Sequence, residues 1–459
     1  MSSISISLAD TLRQRRQRLA DIIHFPAVLW SGGHSPRNFA ANVFPFRASS
    51  HFLYFAGLPL VNAAIRLEAG RLELFIDDPK PGSALWHGEI PKRDRIAAEI
   101  GADAAYPMAD LIPKSVDAAT IAVQDASTWT QQTQLFNRMV LPQIPPQGID
   151  LELAKAIASL RLTHDQGALI ELQKAADVTV EAHKAGMKAA PTAKIEAEIR
   201  AAMEGVIIAN NMKTSYNSIV TVHGEVLHNE HYHHPVNPGD LLLADVGAET
   251  PTGWAADITR TFPISGKFSS TQRDIYDVVL AAHDACIAAI APEVEYSHIH
   301  LLACQIIAEG LVSLGILRGN PTDLVEKDIH ALFFPHGIGH LLGLDVHDME
   351  DLGDLAGYEP ERQRSDRFGL GYLRLNRILR PGMLVTIEPG FYQVPAILNA
   401  VTSQYQYLID WERLSQFSDV PGIRIEDDVL VTDTGSQVIT AALPTTAHAI
   451  EELVLCGRN

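Results

Sequence analysis

The 459 residues are 47% hydrophobic and 20% charged, the balance of a soluble globular chain with room for two or three domains. A formal charge of −19 argues against a nucleic-acid partner, which calls for a basic face, and against docking on an anionic membrane. Cys286, Cys304 and Cys456 offer no disulfide framework. With no apolar signal core and no long uncharged apolar run, the chain reads as cytoplasmic.

Residues 1–25 carry Arg13, Arg15, Arg16 and Arg18 and read as an exposed helix. Short apolar runs at 26–30, 64–67, 72–76 and 121–123 predict strands, and 92–100 predicts a helix between them. The Pro/Gly-rich stretch 142–148 closes this α/β unit. Apolar residues at 3–4 spacing then predict helices over 149–160, 166–187 and 194–208, with Pro191 and Thr192 between the last two. Strand-like runs follow at 219–222, 241–246, 258–262, 384–387 and 423–431, with helices near 271–290 and 298–314. Strands and helices without regular alternation point to an α+β catalytic unit.

The strand 241–246 carries Asp245 among apolar residues, and the strand 258–262 is led in by Asp257. A Thr-Pro-Thr-Gly turn separates them. With the hairpin tip at Pro251, the two aspartates pair directly on one face, about 5 Å apart at Cα. Facing buried carboxylates need a shared proton or a cation. A solvated hairpin is the alternative, and the apolar strand weighs against it.

Further along, 333–347 (FFPHGIGHLLGLDVH) sets His336, His340 and His347 among glycines and aliphatics. Taken alone, either of the first two is as well explained as a hydrogen-bonded core histidine. Glu388 ends an apolar strand at Pro389-Gly390, which positions it. Period two puts Arg424 and Glu426 on one strand face and Ile423 and Ile425 on the other. A surface Arg/Glu pair stays open there, and Asp427 and Asp428 read as solvated turn acids. His231, His233 and His234 beside Pro235 could hold zinc, but a solvated loop is the simpler reading. The chain has no His-Glu-x-x-His helix, no Gly-x-Ser-x-Gly elbow and no phosphate-binding Gly-Lys-Ser/Thr loop.

The four segments around Asp245 with Asp257, His336 with His340, Glu388 and Glu426 resemble, in order, the motifs of the "pita-bread" metallopeptidases. These are methionine aminopeptidase, aminopeptidase P and Xaa-Pro dipeptidase (prolidase). The segments 44–47 (FPFR) and 52–57 (FLYFAG) resemble the N-terminal domain shared by the latter two. The resemblance implies a pita-bread catalytic domain over 161–459 and an α/β domain over 1–160. It implies metal ligands at Asp245, Asp257, His340, Glu388 and Glu426, holding two divalent cations. The oxygen-rich set favours Mn²⁺, with Co²⁺ or Zn²⁺ as alternatives. It implies a proton shuttle at Glu388 and substrate-orienting histidines at His228 and His347. His336, Arg424 and Tyr392 match residues around the site. Asp245 and Asp257 stand one residue further apart than is usual in the family, and Asn229 stands where tyrosine is common.

The implied reaction is hydrolysis of an N-terminal Xaa-Pro bond in a proline-containing di- or oligopeptide. Arg374 stands where prolidases resemble this chain and clamp a dipeptide carboxylate, a task suited to guanidinium. The stretch 391–421 also resembles a prolidase insertion. The expectation is therefore a dipeptidase, with an aminopeptidase P acting on longer peptides as the alternative. A metal-free binding module of the same fold is the remote reading, because all five ligand positions are filled. A homodimer is the family-based expectation.

Overall fold

The computed structural model describes residues 7–401 and 405–458, so the first six residues of the N-terminal stretch and 402–404 of the 391–421 stretch lie outside the described residues. Contacts divide the chain into two compact units. One holds Met1–Leu162 with Pro251–Gly253 and Met349–Ala356; the other holds the remainder. Among the described residues no helix is long and apolar enough to cross a membrane.

The first unit is built on a four-stranded mixed sheet. Its order is Ala27–Trp30, Ala64–Glu68, Arg71–Phe75 and Ala104–Tyr106. The first three strands run antiparallel and the last joins in parallel. Val28, Trp30, Ala64, Phe75, Leu111, Ala118 and Val123 form its core. Residues 121–123, expected as a strand, form none. The side chain of Gln132 takes the place of a ladder there, accepting from the Val123 N–H and donating to the Ile121 carbonyl. The first helix, Leu8–Ala20, is not the solvated helix its arginines predict. Arg15 and Arg16 are buried. Arg15 donates to the Tyr54 carbonyl at 2.9 Å, and Arg16 to those of Gly70 and Gly101 at 3.1 and 2.6 Å. Tyr54 and Gly101 lie at helix C-terminal ends, where carbonyls lack partners and attract cations.

In the second unit three small sheets surround the candidate site. Leu241–Asp245 pairs with Ile219–Thr221 on one side and Thr259–Pro263 on the other. Leu384–Ile387 pairs with Asp427–Val431, which pairs with Ser436–Val438. Gly390–Tyr392 pairs with Gly422–Arg424. Long helices, Gln166–Ala189, Glu196–Ala209, Ser270–Ala289 and Tyr296–Ser313, complete the unit. The α+β reading therefore holds.

Two expectations change. The stretch 423–431 is not one strand: it breaks at Ile425–Glu426, so that each half serves a different sheet. Asp427 and Asp428 are not turn acids but are 2% and 0% exposed. Asp427 meets Arg260, itself 0% exposed, in a two-oxygen contact at 2.9 and 3.0 Å, and His283 Nε2 lies 3.0 Å away. Burial alone would raise the Asp427 carboxyl, but Arg260 and His283 hold it below the usual range. Asp428 accepts from the Asp257 N–H at 3.2 Å.

Asp427→Asn leaves Arg260 charged, buried and short of its counter-ion. Urea denaturation should show a loss of about 3–5 kcal/mol. Because the folded value is depressed, the contribution of Asp427 is complete above its unfolded value, near 4. It is lost as pH falls through the lower folded value, so the variant should show a shallower acid decline than the wild type.

Candidate active site

The second unit contains a cavity of about 490 Å³. Ten of the eleven residues singled out from the sequence line it: His228, Asp245, Asp257, His336, His340, His347, Arg374, Glu388, Arg424 and Glu426. Tyr392 does not; it is fully buried behind the wall. Arg364, Phe368 and Tyr372 join Arg374 in the lining.

The aspartates arrive by a register one tip residue away from that expected. Asp245 pairs with Thr259, and Asp257 sits two residues before that partner. The ladder continues through Val246 N–H to Ile258 carbonyl, Ala256 N–H to Ala248 carbonyl and Thr250 N–H to Trp254 carbonyl, which places the tip at Thr252. Moving the tip by one residue shifts the pairing by two. Side chains alternate with period two, so the shift keeps both acids on one face and makes them diagonal neighbours. Gly247 permits the crossing: a Cβ there would lie 1.8 Å from the Ala256 carbonyl oxygen.

His340 lies in irregular chain held against the strand Leu384–Ile387. Its N–H donates to Thr386 Oγ1 at 3.2 Å, and its carbonyl accepts from the Thr386 N–H at 3.0 Å. Gly339 gives the close approach, since a Cβ would come within 2.2 Å of the Thr386 carbonyl oxygen. His340 Nδ1 lies 3.0 Å from the Leu341 carbonyl, which fixes the proton on Nδ1 and leaves Nε2 as an acceptor. That Nε2 is 3.5 Å from Asp257 Oδ2 and 3.8 Å from Glu388 Oε1. Glu426, at the break between two strands, is joined to Thr259 through backbone and side chain, with Thr259 Oγ1 donating to Oε2 at 2.7 Å. Its Oε1 is buried with no hydrogen-bond partner among the described residues.

Arg424 ties the wall together. It donates to Thr259 Oγ1 at 3.1 Å, to the Tyr392 hydroxyl at 2.9 Å and to Asp245 Oδ2 at 2.5 Å. Tyr392 passes the chain on to His336 Nε2 at 2.8 Å, while His336 Nδ1 lies 2.8 Å from the Gly337 carbonyl. Burial first, then the Arg424 charge, lowers His336 to about 3, so it is a neutral imidazole. His228 is lowered in the same way. The ring of His347 sits 4.4 Å from that of His340.

Tyr216 is the site residue that the motifs missed. Its hydroxyl contacts Asp245 and lies 2.5 Å from Asp257 Oδ1. A hydroxyl has one proton and cannot donate to two carboxylates at once. Burial, then Asp245, pushes the Tyr216 hydroxyl far up, so it stays protonated. A signal was available: Ile219 pairs with Asp245, and Tyr216 lies just ahead of that strand.

The acids themselves are out of range. Burial and then Asp245 raise Asp257 to about 8. Burial raises Glu388 to about 7, and burial followed by Asp257 raises Glu426 well above the ordinary value. Only cations or protons settle such a cluster. Ligand atoms of Asp257, His340 and Glu426 lie within 4.8 Å of one another, close enough to share an ion. With one imidazole and otherwise carboxylate oxygens, these residues fit divalent cations that favour oxygen. The unpartnered Glu426 Oε1 is the atom such an ion would satisfy.

Comparison with known proteins agrees. The metallopeptidase family M24 model matches residues 171–433, and the aminopeptidase P N-terminal domain model matches 12–120. A probable Xaa-Pro aminopeptidase of Penicillium rubens is 34% identical over 90% of this chain and 89% of its own length. One from Sordaria macrospora is 30% identical over 96% and 95%. Aminopeptidase P of E. coli with the inhibitor Pro-Leu superposes with a TM-score of 0.79 at 26% identity, covering 99% of both chains. The zinc-substituted form of that enzyme with product gives 0.78 at 25% identity, again over 99% of both.

The raised acids predict how chelation acts. Folded Asp257 and Glu388 hold protons up to about 8 and 7, whereas the unfolded chain releases them near 4. The stability of EDTA-stripped protein should therefore fall as pH rises from 4 to 8. Divalent cation should remove that slope and release protons on binding. Thermal melts across pH and calorimetry in buffers of different ionisation enthalpy check both.

Proposed function

The chain belongs to metallopeptidase family M24, and from that premise we propose that it is an Xaa-Pro aminopeptidase, a metal-dependent exopeptidase cutting the N-terminal residue from a following proline in peptides longer than two residues. The observation that carries the reading is likeness over the whole length to proteins named for that activity, with the N-terminal domain model matched as well. The dipeptidase expectation drawn from Arg374 and 391–421 gives way. The match to aminopeptidase P over 99% of both chains supports the aminopeptidase reading in its place.

Asp245, Asp257, His340, Glu388 and Glu426 would hold two divalent cations, with Mn²⁺ suited to the oxygen-rich set. When bound, such ions acidify water and polarise a peptide carbonyl. The protein groups do the rest. Glu388 takes a proton from the attacking water and delivers it to the leaving proline nitrogen, a task that suits a carboxyl tuned upward by burial. His228 and His347 face the cavity and orient the scissile carbonyl by donating hydrogen bonds. Arg424 holds Asp245 in place by donating to it and, through Tyr392, keeps His336 in one tautomer. Arg374 contacts the peptide beyond the proline.

Initial rates with Mn²⁺ on Ala-Pro and Ala-Pro-Ala test this. The tripeptide should be preferred by about tenfold or more in kcat/KM, which is about 1.4 kcal/mol. Arg374→Ala should lower kcat/KM for Ala-Pro-Ala more than for Ala-Pro. A preference for Ala-Pro, with a KM raised for it alone by Arg374→Ala, would restore the dipeptidase. Glu388→Gln should lower kcat by about 10²–10⁴ with the fold intact by circular dichroism.

A further inference from the structure

The histidines at 223–234 are better organised than a solvated loop requires. The returning limb of their loop is fixed on the start of the helix Glu196–Ala209. The N–H groups of Ala197 and Glu196 donate to the carbonyls of Tyr232 and His234 at 3.0 and 3.2 Å. Val236 N–H donates to the Lys194 carbonyl at 3.0 Å. The Tyr232 hydroxyl donates to the Ser218 carbonyl at 2.6 Å, and Arg200 lies 4.1 Å from its ring centre. On this frame four imidazoles meet. The rings of His223 and His234 are 4.5 Å apart, those of His233 and His234 4.4 Å, and those of His231 and His233 6.0 Å.

Two of these rings carry a carboxylate behind them. His223 Nδ1 lies 3.1 Å from Glu225 Oε1, and His234 Nδ1 lies 2.8 Å from Glu196 Oε2. Glu196 is fully buried and also accepts from Thr221 Oγ1 and the Val222 N–H, so its position is set by the fold. Glu225 Oε2 is buried with no hydrogen-bond partner among the described residues. A carboxylate at Nδ1 fixes the proton there, leaves the Nε2 lone pair outward and makes it more basic. Metal-binding histidines are prepared in this way.

We propose that His223 and His234 form the core of a separate transition-metal site that takes Zn²⁺, Cu²⁺ or Ni²⁺, ions for which imidazole is the preferred ligand, with His231 or His233 drawn in as a third ligand on binding. It differs in donor chemistry from the carboxylate centre. His223 and His234 also bracket His228, which lines the cavity. An ion joining the two closes the loop that carries His228 and narrows its excursions.

Equilibrium dialysis of the chelator-stripped full chain against Zn²⁺ tests the proposal. The wild type should hold one more zinc per chain than His223→Gln/His234→Gln, with micromolar or tighter affinity for the extra ion. With Cu²⁺, electron paramagnetic resonance should show coupling to at least two imidazole nitrogens that the double variant lacks. Glu225→Gln should weaken the extra ion by about 10–100-fold, as loss of an outer-shell partner does. Should the first variant fail to fold, His231→Ala/His233→Ala, at exposed positions, should weaken the ion at least tenfold. An equal zinc count in the wild type and the folded variants overturns the site.

Discussion

Burying four carboxylates around one cavity is the constraint from which the second unit is built. Asp245, Asp257, Glu388 and Glu426 all come from apolar strands or their ends, and like charges so placed repel. Of the three arginines that line the wall, Arg424 spends its donors on Asp245, Thr259 and Tyr392. Three acids are left with raised values, so the fold is completed by something cationic. Tyr216 makes the same point with one hydroxyl against two aspartates. An anionic chain of ordinary composition can hold such a cluster because strand ladders, rather than the acids, carry the cohesion.

The run Glu426-Asp427-Asp428 shows how close the site lies to its own scaffold. Glu426 faces the cavity and Asp427 faces Arg260 and His283, as period-two alternation requires. Asp428 accepts the backbone N–H of Asp257. Three consecutive residues thus offer an acid to the cavity, brace the core with the next, and hold the backbone of Asp257 with the third. Arg260 completes the tie by donating to the Glu426 carbonyl at 2.6 Å. Loss of the brace would disturb the centre without touching it.

The residues that carry chemistry were legible because their types are improbable in apolar strands. An acid in LLLAD, or one between VTI and PG, asks for a partner, and the structure draws these acids to one cavity. Period two explains why the hairpin error did little harm: a shift of two positions preserves the face. It also explains what was missed. Asp427 and Asp428 were judged by the turn-like look of three acids in a row, while their burial depends on Arg260, 167 residues away in sequence. Arg15 and Arg16 were judged by charge, while helix-end carbonyls elsewhere in the chain decide their burial. Tyr216 acts through its hydroxyl and stands outside the motifs, whereas Tyr392 was named from its place shortly after Glu388. Arg374 was read as a carboxylate clamp from its position in a motif. A guanidinium on a cavity wall serves a terminal carboxylate or an internal carbonyl equally well, so the choice rests on whole-chain likeness.

Rigidity is divided unevenly around the cavity, and the division has a purpose. Asp245, Glu388 and Glu426 stand at strand ends and His340 is pinned to Thr386, so the candidate ligand set is held by ladders that admit little movement. His228 stands instead on the loop between strands 219–221 and 241–245, partly exposed at the cavity wall. Ligand geometry tolerates errors of only a few tenths of an ångström, whereas a peptide must enter, turn and leave. Placing the candidate ligands at strand ends and His228 on a loop at the cavity wall meets both demands. A loop that carries such a residue is also where restraint has most effect. Its two ends are tied to buried Glu196, to the backbone of one helix and to each other through the edge-to-face rings of His223 and His234, so its freedom is bounded without being removed.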